Sequence, residues 1–129
     1  MSLALLPFRS RYLDIQFSHE ILDARGLPYE LCNELMNLEK EVGFPVSDSF
    51  TSYLSRDDAY EEPHYGETSE TPYGKQLMYL HARHVKQVLK KAEEYYPEDF
   101  GHPMGYGLRA VTAYVNELPD DLPIALYWH

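Results

Sequence analysis

The sequence predicts an α+β domain, a small sheet of about three or four strands with two or three amphipathic helices packed on one face. Three observations carry that expectation. Leu31, Leu35, Leu38 and Val42 recur at helical spacing. Residues 12–17 alternate with aromatic and β-branched content, and residues 124–128 form a short apolar run ending in Trp128. With 129 residues, 44% hydrophobic and 25% charged, the chain can build its own core, so residues 1–129 read as a single domain.

In chain order, the first strand is expected at residues 12–17, with Leu13, Ile15 and Phe17 or the opposite set inward and Ile21 and Leu22 extending it past a bend. The apolar run Leu3 to Leu6 is too short for a signal-peptide core or a bilayer span. Gly26-Leu27-Pro28 sets up the first helix, because a proline in the first turn has no N–H to waste. Gly43 is expected to end that helix in the left-handed conformation, and Pro45 prevents its resumption. Cys32 and Met36 flank its apolar stripe.

Residues 49–54 suit a short strand, and a long acidic loop follows at about residues 55–74 with Pro63, Gly66, Pro72 and Gly74. A helix is expected from about His81, with His81, Val85, Val88, Ala92 and Tyr95 on one face, while residues 76–80 suit either helix or strand. Pro97 ends it, and Gly101, Pro103, Gly105 and Gly107 read as a loop. Leu108, Val111 and Val115 suit another helix, although their surroundings also suit a strand. Residues 124–128 read as a buried strand.

Charge bounds the function. There are 21 acidic side chains against 11 Lys plus Arg, a formal net charge of −10, which repels phosphate backbones and argues against nucleic acid as a partner. Asp57, Asp58, Glu61, Glu62, Glu67 and Glu70 form an acidic block, and Lys75, Arg83, Lys86, Lys90 and Lys91 a basic one immediately after it. Adjacent blocks of opposite sign can pair on folding. The one cysteine makes no intrachain disulfide, so a cytoplasmic setting without membrane association is the default expectation.

No intact catalytic signature is present. His81 and His84 are three apart, whereas zincin chemistry needs two histidines four apart with a glutamate beside the first; Ala82 stands there instead. His81 reads as a core histidine. Cys32, at the margin of a hydrophobic stripe, reads as a small hydrophobe rather than a nucleophile. No metal or cofactor set follows from the spacing of the histidines, and the carboxylate pairs fall in loops or at helix ends.

The feature furthest above background is the tyrosine content, 12 residues. Three of them, Tyr60, Tyr65 and Tyr73, lie in the acidic loop beside Glu61, Glu62 and His64. Tyrosine combines contact area with a polar tip and few rotatable bonds, which suits recognition; the same rings could instead pin the loop to the domain. The leading expectation is therefore a non-catalytic protein-binding or regulatory domain, of the inhibitor or immunity type, that engages a basic protein surface through Tyr60, Glu61, Glu62, His64, Tyr65 and Tyr73. The alternative is a small enzyme or an anion- or metal-binding domain with a pocket near the glycine-rich loop from Gly101 to Gly107, using His102, Arg109 and His81 or His84. A homo-oligomer paired through Trp128 and the terminal strand is a third.

Overall fold

The computed structural model describes residues 3–10, 15–18, 22–46, 49–52, 66–67, 71, 73–95 and 103–129. Among the described residues, eight strands and three helices follow in the order β1 (Leu3–Ser10), β2 (Ile15–Ser18), β3 (Leu22–Asp23), α1 (Tyr29–Val42), β4 (Phe44–Pro45), β5 (Ser49–Ser52), β6 (Gly66–Glu67), β7 (Met78–His81), α2 (Ala82–Tyr95), α3 (Pro103–Asn116) and β8 (Pro123–Trp128). The class is α+β, as expected. The antiparallel sheet has five strands rather than three or four, in the order β4-β7-β8-β1-β3. The far end of β1 leads into a second group, where β2 pairs with β1, β5 runs parallel to β2, and β6 closes on β5. The parallel pair needs a crossover, and α1 lies in it.

The longest strand absent from the sequence reading is β1; the two-residue β4 and β6, the latter within the expected loop at 55–74, are absent from it too. Residues 3–8 are buried throughout, because β1 lies inside the sheet with both faces covered. A strand of that kind shows a continuous apolar run instead of alternation. Pro7 is tolerated for a local reason. The carbonyl of Leu3 accepts from Ala24 N–H at 3.0 Å, so odd-numbered β1 residues point their main-chain groups toward β3 and β2. There the partner of Leu5 is Leu22 and that of Phe8 is Ser18, three residues along β1 against four along the other chain segment. The missing N–H of Pro7 thus faces the change of register, where the regular ladder is interrupted.

All three helices cover one face. Leu3 and Leu5 from β1, Leu80 from β7, and Ile124, Leu126 and Trp128 from β8 join one cluster with Leu31 and Leu35 of α1, Val85, Val88, Leu89 and Ala92 of α2, and Leu108, Val111 and Val115 of α3. The alternate residues Leu6, Phe8 and Ala125 turn to the other face, with Val46 and Leu77.

The helices follow their patterns with instructive exceptions. Pro28 stands just before α1, its carbonyl accepting from Leu31 and Cys32 at 3.0 Å each. Leu31 and Leu35 are buried, but Val42 of the expected stripe is 39% exposed. Gly43 is not left-handed: φ is −77° and ψ 158°, extended backbone. Glycine is needed there for space, since a Cβ would lie 2.8 Å from Glu39 Cα. His81 closes β7 rather than opening a helix, and the apolar face of α2 runs from Ala82 through Ala92, leaving Tyr95 70% exposed. The first N–H groups of α2 are met by the turn before β8: Ala82 N–H donates to Leu122 O at 2.8 Å and Arg83 N–H to Asp120 O at 3.0 Å. Gly105 and Gly107 belong to α3, not to a loop.

Three bases of the basic block pair elsewhere on the described structure, while the acidic block, Glu67 apart, lies outside the described residues. Lys86 Nζ donates to Leu118 O at 2.6 Å and to Asp120 at 2.7 Å, tying α2 to the α3–β8 connection. Lys91 pairs with Glu34 on α1, and Lys90 with Glu94 one helical turn away. The terminal strand β8 is flanked by β7 and β1, so neither of its edges is free to pair with a second copy.

Candidate functional site

A concavity lined by described residues lies on the helical side of the sheet. It is a half-open pocket of about 520 Å³ between the last turns of α1, the ends of β7 and β8, and the turn at residues 71–76. That volume is ordinary for a small-molecule site.

Each wall follows from local structure. On α1, Met36, Glu39 and Lys40 line the pocket. Residues three and four apart share a helix face, which is why Met36 stands beside Glu39 and Lys40. The floor is cross-strand: Met78 of β7 is in register with Leu126 of β8, and Trp128 is two residues further along the same face. The third wall is a tight turn in which Thr71 N–H donates to Lys75 O at 2.8 Å and Gly74 N–H to Thr71 O at 2.9 Å. Gly74 holds φ at +74°, a conformation that other residues rarely adopt. Beyond the turn, the Gln76 side-chain amide donates to Val46 O at 3.1 Å, fixing the turn to the end of β4.

Two polar features stand out in this largely apolar enclosure. Trp128 Nε1–H donates to Glu39 Oε1 at 2.7 Å across 89 residues of sequence. Burial pushes the Glu39 carboxyl above the usual carboxylate range, while the Trp128 hydrogen bond and the nearby Lys75 charge pull it back. Thr71 is only 7% exposed, and its hydroxyl has no hydrogen-bond partner among the described residues. An orphaned buried hydroxyl is costly unless something else meets it. At the rim, Lys40 and Lys75 form no ion pair among the described residues, in contrast to Arg25, Lys86, Lys90 and Lys91.

Of the candidate partner- and ligand-binding residues expected from sequence, Tyr73 alone among the described ones joins this pocket, as a 55% exposed ring on its rim. Tyr60, Glu61, Glu62, His64 and Tyr65 lie outside the described residues, as do Gly101 and His102. Arg109 sits over the Tyr106 ring at 5.7 Å, in the body of α3. His81 packs against Phe44 and Tyr79 in edge-on ring contacts, 5.6 and 6.1 Å between centroids, so it is an aromatic-cluster residue and not a member of a helical stripe. The imidazole of His84 is held below its usual value by burial first, then by the charges of Arg83 and His81. A site with those neighbours repels a cation, and among the described residues no group of three His, Cys, Asp or Glu side chains converges. Cys32 packs against the core with its Sγ 3.7 Å from Leu27 O, and burial pushes its thiol up, away from the reactive thiolate.

Sequence reasoning missed Met36, Glu39, Lys40, Thr71, Met78 and Trp128 as one constellation. The signal that pointed nearest was Glu39, a carboxylate on α1 only one helical turn past the buried Leu35. No protein-family model, curated protein or solved structure matches the chain. No described helix is long and apolar enough to cross a membrane.

Proposed function

We propose that the protein is a binding domain that takes a small organic ligand in the pocket between α1, β7–β8 and the turn at residues 71–76. The observation that carries this reading is the enclosure itself: apolar walls from three segments, with a few convergent polar groups, are the usual makings of a ligand site. The reading belongs to the ligand-binding class weighed from the sequence, with the site moved from the glycine-rich segment to the pocket beside α1. The single tryptophan is a wall of the pocket, so its emission reports on occupancy. Titration with the uncharged dye Nile red should give saturable one-to-one binding with quenching of Trp128. Met36→Trp and Met78→Trp, filling the space from opposite walls, should each weaken Nile red binding at least about tenfold while circular dichroism is unchanged. Non-saturable binding, or binding untouched by both fillings, removes the proposal.

A second reading, a basic protein partner held by the acidic tyrosine-bearing segment, draws support from Tyr73, whose ring is turned to solvent. Deleting residues 61–70 should then abolish a salt-sensitive association with a basic protein in extract. An unchanged set of salt-sensitive partners rejects it.

A further inference from the structure

The pocket's charge and hydrogen-bonding groups are not symmetrically placed. Its floor and α1 wall are apolar, from Met36, Met78, Leu126 and Trp128, and the one carboxylate facing them, Glu39, already accepts the indole N–H. On the turn wall, Lys75 and the orphaned Thr71 hydroxyl belong to one tight turn, closed by the bond from Thr71 N–H to Lys75 O. Lys40 stands on the facing helix wall. Lys86, Lys90 and Lys91 each form a salt bridge, whereas Lys40 and Lys75 form none among the described residues, although the Lys75 charge reaches Glu39. Two cations and a hydroxyl with an unused proton make an anion-recognising end, and an oxygen acceptor with negative charge satisfies all three.

We infer that the ligand is a small amphipathic carboxylate, its apolar body laid against Met36, Met78, Leu126 and Trp128 and its carboxylate held by Lys75, Lys40 and the Thr71 hydroxyl. The inference rests on the ligand-binding reading above and names the ligand's class. A carboxylate there accepts a hydrogen bond from the Thr71 hydroxyl, which removes the cost of the unpaired buried group, and gives both exposed rim lysines a counter-ion. Glu39 weakens but does not defeat it, because the Lys75 charge acts on that carboxylate and the Trp128 bond occupies one of its oxygens. The apolar body displaces water from a surface that the fold leaves open.

Three probes with one body and different heads test it: decanoate, 1-decanol and decylamine, each titrated below its micellar range against Trp128 emission. Decanoate should bind at least about tenfold more tightly than 1-decanol, and decylamine most weakly. Lys75→Ala and Thr71→Val should each erase about three- to tenfold of the decanoate preference and leave 1-decanol binding unchanged, and added salt should weaken decanoate alone. Glu39→Gln should strengthen decanoate binding. If 1-decanol binds saturably but decanoate gains nothing over it, or decylamine binds best, the carboxylate assignment is overturned while the ligand site stands. If none of the three perturbs Trp128 saturably, the ligand-binding reading itself fails with it.

Discussion

Replacing Trp128 with Phe isolates the polar link on which the pocket is built. The change removes the N–H that Glu39 accepts at 2.7 Å and trims a ring that is only 7% exposed. A hydrogen bond to a charged acceptor contributes about 1.5–3 kcal/mol, and the half-buried setting of Glu39 places this one at the lower end. The lost ring area adds roughly 1 kcal/mol at about 25 cal/mol per Å². The expected loss is about 2.5 kcal/mol at neutral pH, or roughly 8–12 °C in melting temperature for a chain of this size. The sign of its pH dependence follows from the Glu39 carboxyl, whose folded value is raised by burial and restrained by this very bond. A raised carboxyl contributes stability below its unfolded value and loses it as pH rises through the folded one. Without the indole, the folded value rises further, so the variant's deficit should widen from about pH 4 to about pH 7.5. Urea melts of Trp128→Phe, Glu39→Ala and the double variant, followed by circular dichroism at both pH values, measure it. A coupling energy below about 0.3 kcal/mol, or a deficit that does not change with pH, would refute the argument.

Gly43→Ala separates two views of a helix end. If conformational freedom alone mattered, alanine in this extended backbone would stabilise by about 0.4–1 kcal/mol; the close approach to Glu39 Cα predicts instead a loss of about 1–3 kcal/mol, read from denaturant midpoints. His84→Gln should flatten part of the acid limb of stability: the folded imidazole titrates below its unfolded value, so the unfolded state binds the extra proton and wild-type stability falls as pH drops from about 7 to about 5. Melts across that range check it, and an unchanged slope counts against the assignment. Lys86→Met should cost about 1 kcal/mol through the lost bond to Leu118 O, whereas Asp120→Asn, at an exposed carboxyl, should cost far less in the same thermal assay.

The elements legible in the sequence were those whose burial has one simple period. The Leu31 and Leu35 stripe located α1, the Val85, Val88 and Ala92 face located α2, and the apolar ending located β8, because each presents one face or one run to a single core. β1 escaped because it is buried on both faces and carries Pro7, both of which erase the alternation that marks a half-buried strand. The glycine-rich segment misled in the opposite direction. Gly105 and Gly107 read as loop by propensity, yet Leu108, Val111 and Val115 pack α3 onto the sheet, and that burial outweighs the helix penalty of two glycines.

Local spacing by itself thus determined the fold class, the apolar faces of the helices and the terminal strand, since these depend on neighbours a few residues apart. The pocket depended on something no local pattern contains. Glu39 meets Trp128 from 89 residues away, and Thr71 and Lys75 reach the same cavity from a turn whose own sequence reads only as polar connection. Only the packing of α1 across β7 and β8 brings them together, because the position of a side chain in space is set by the register and crossing of whole elements, which the one-dimensional order of residues does not express.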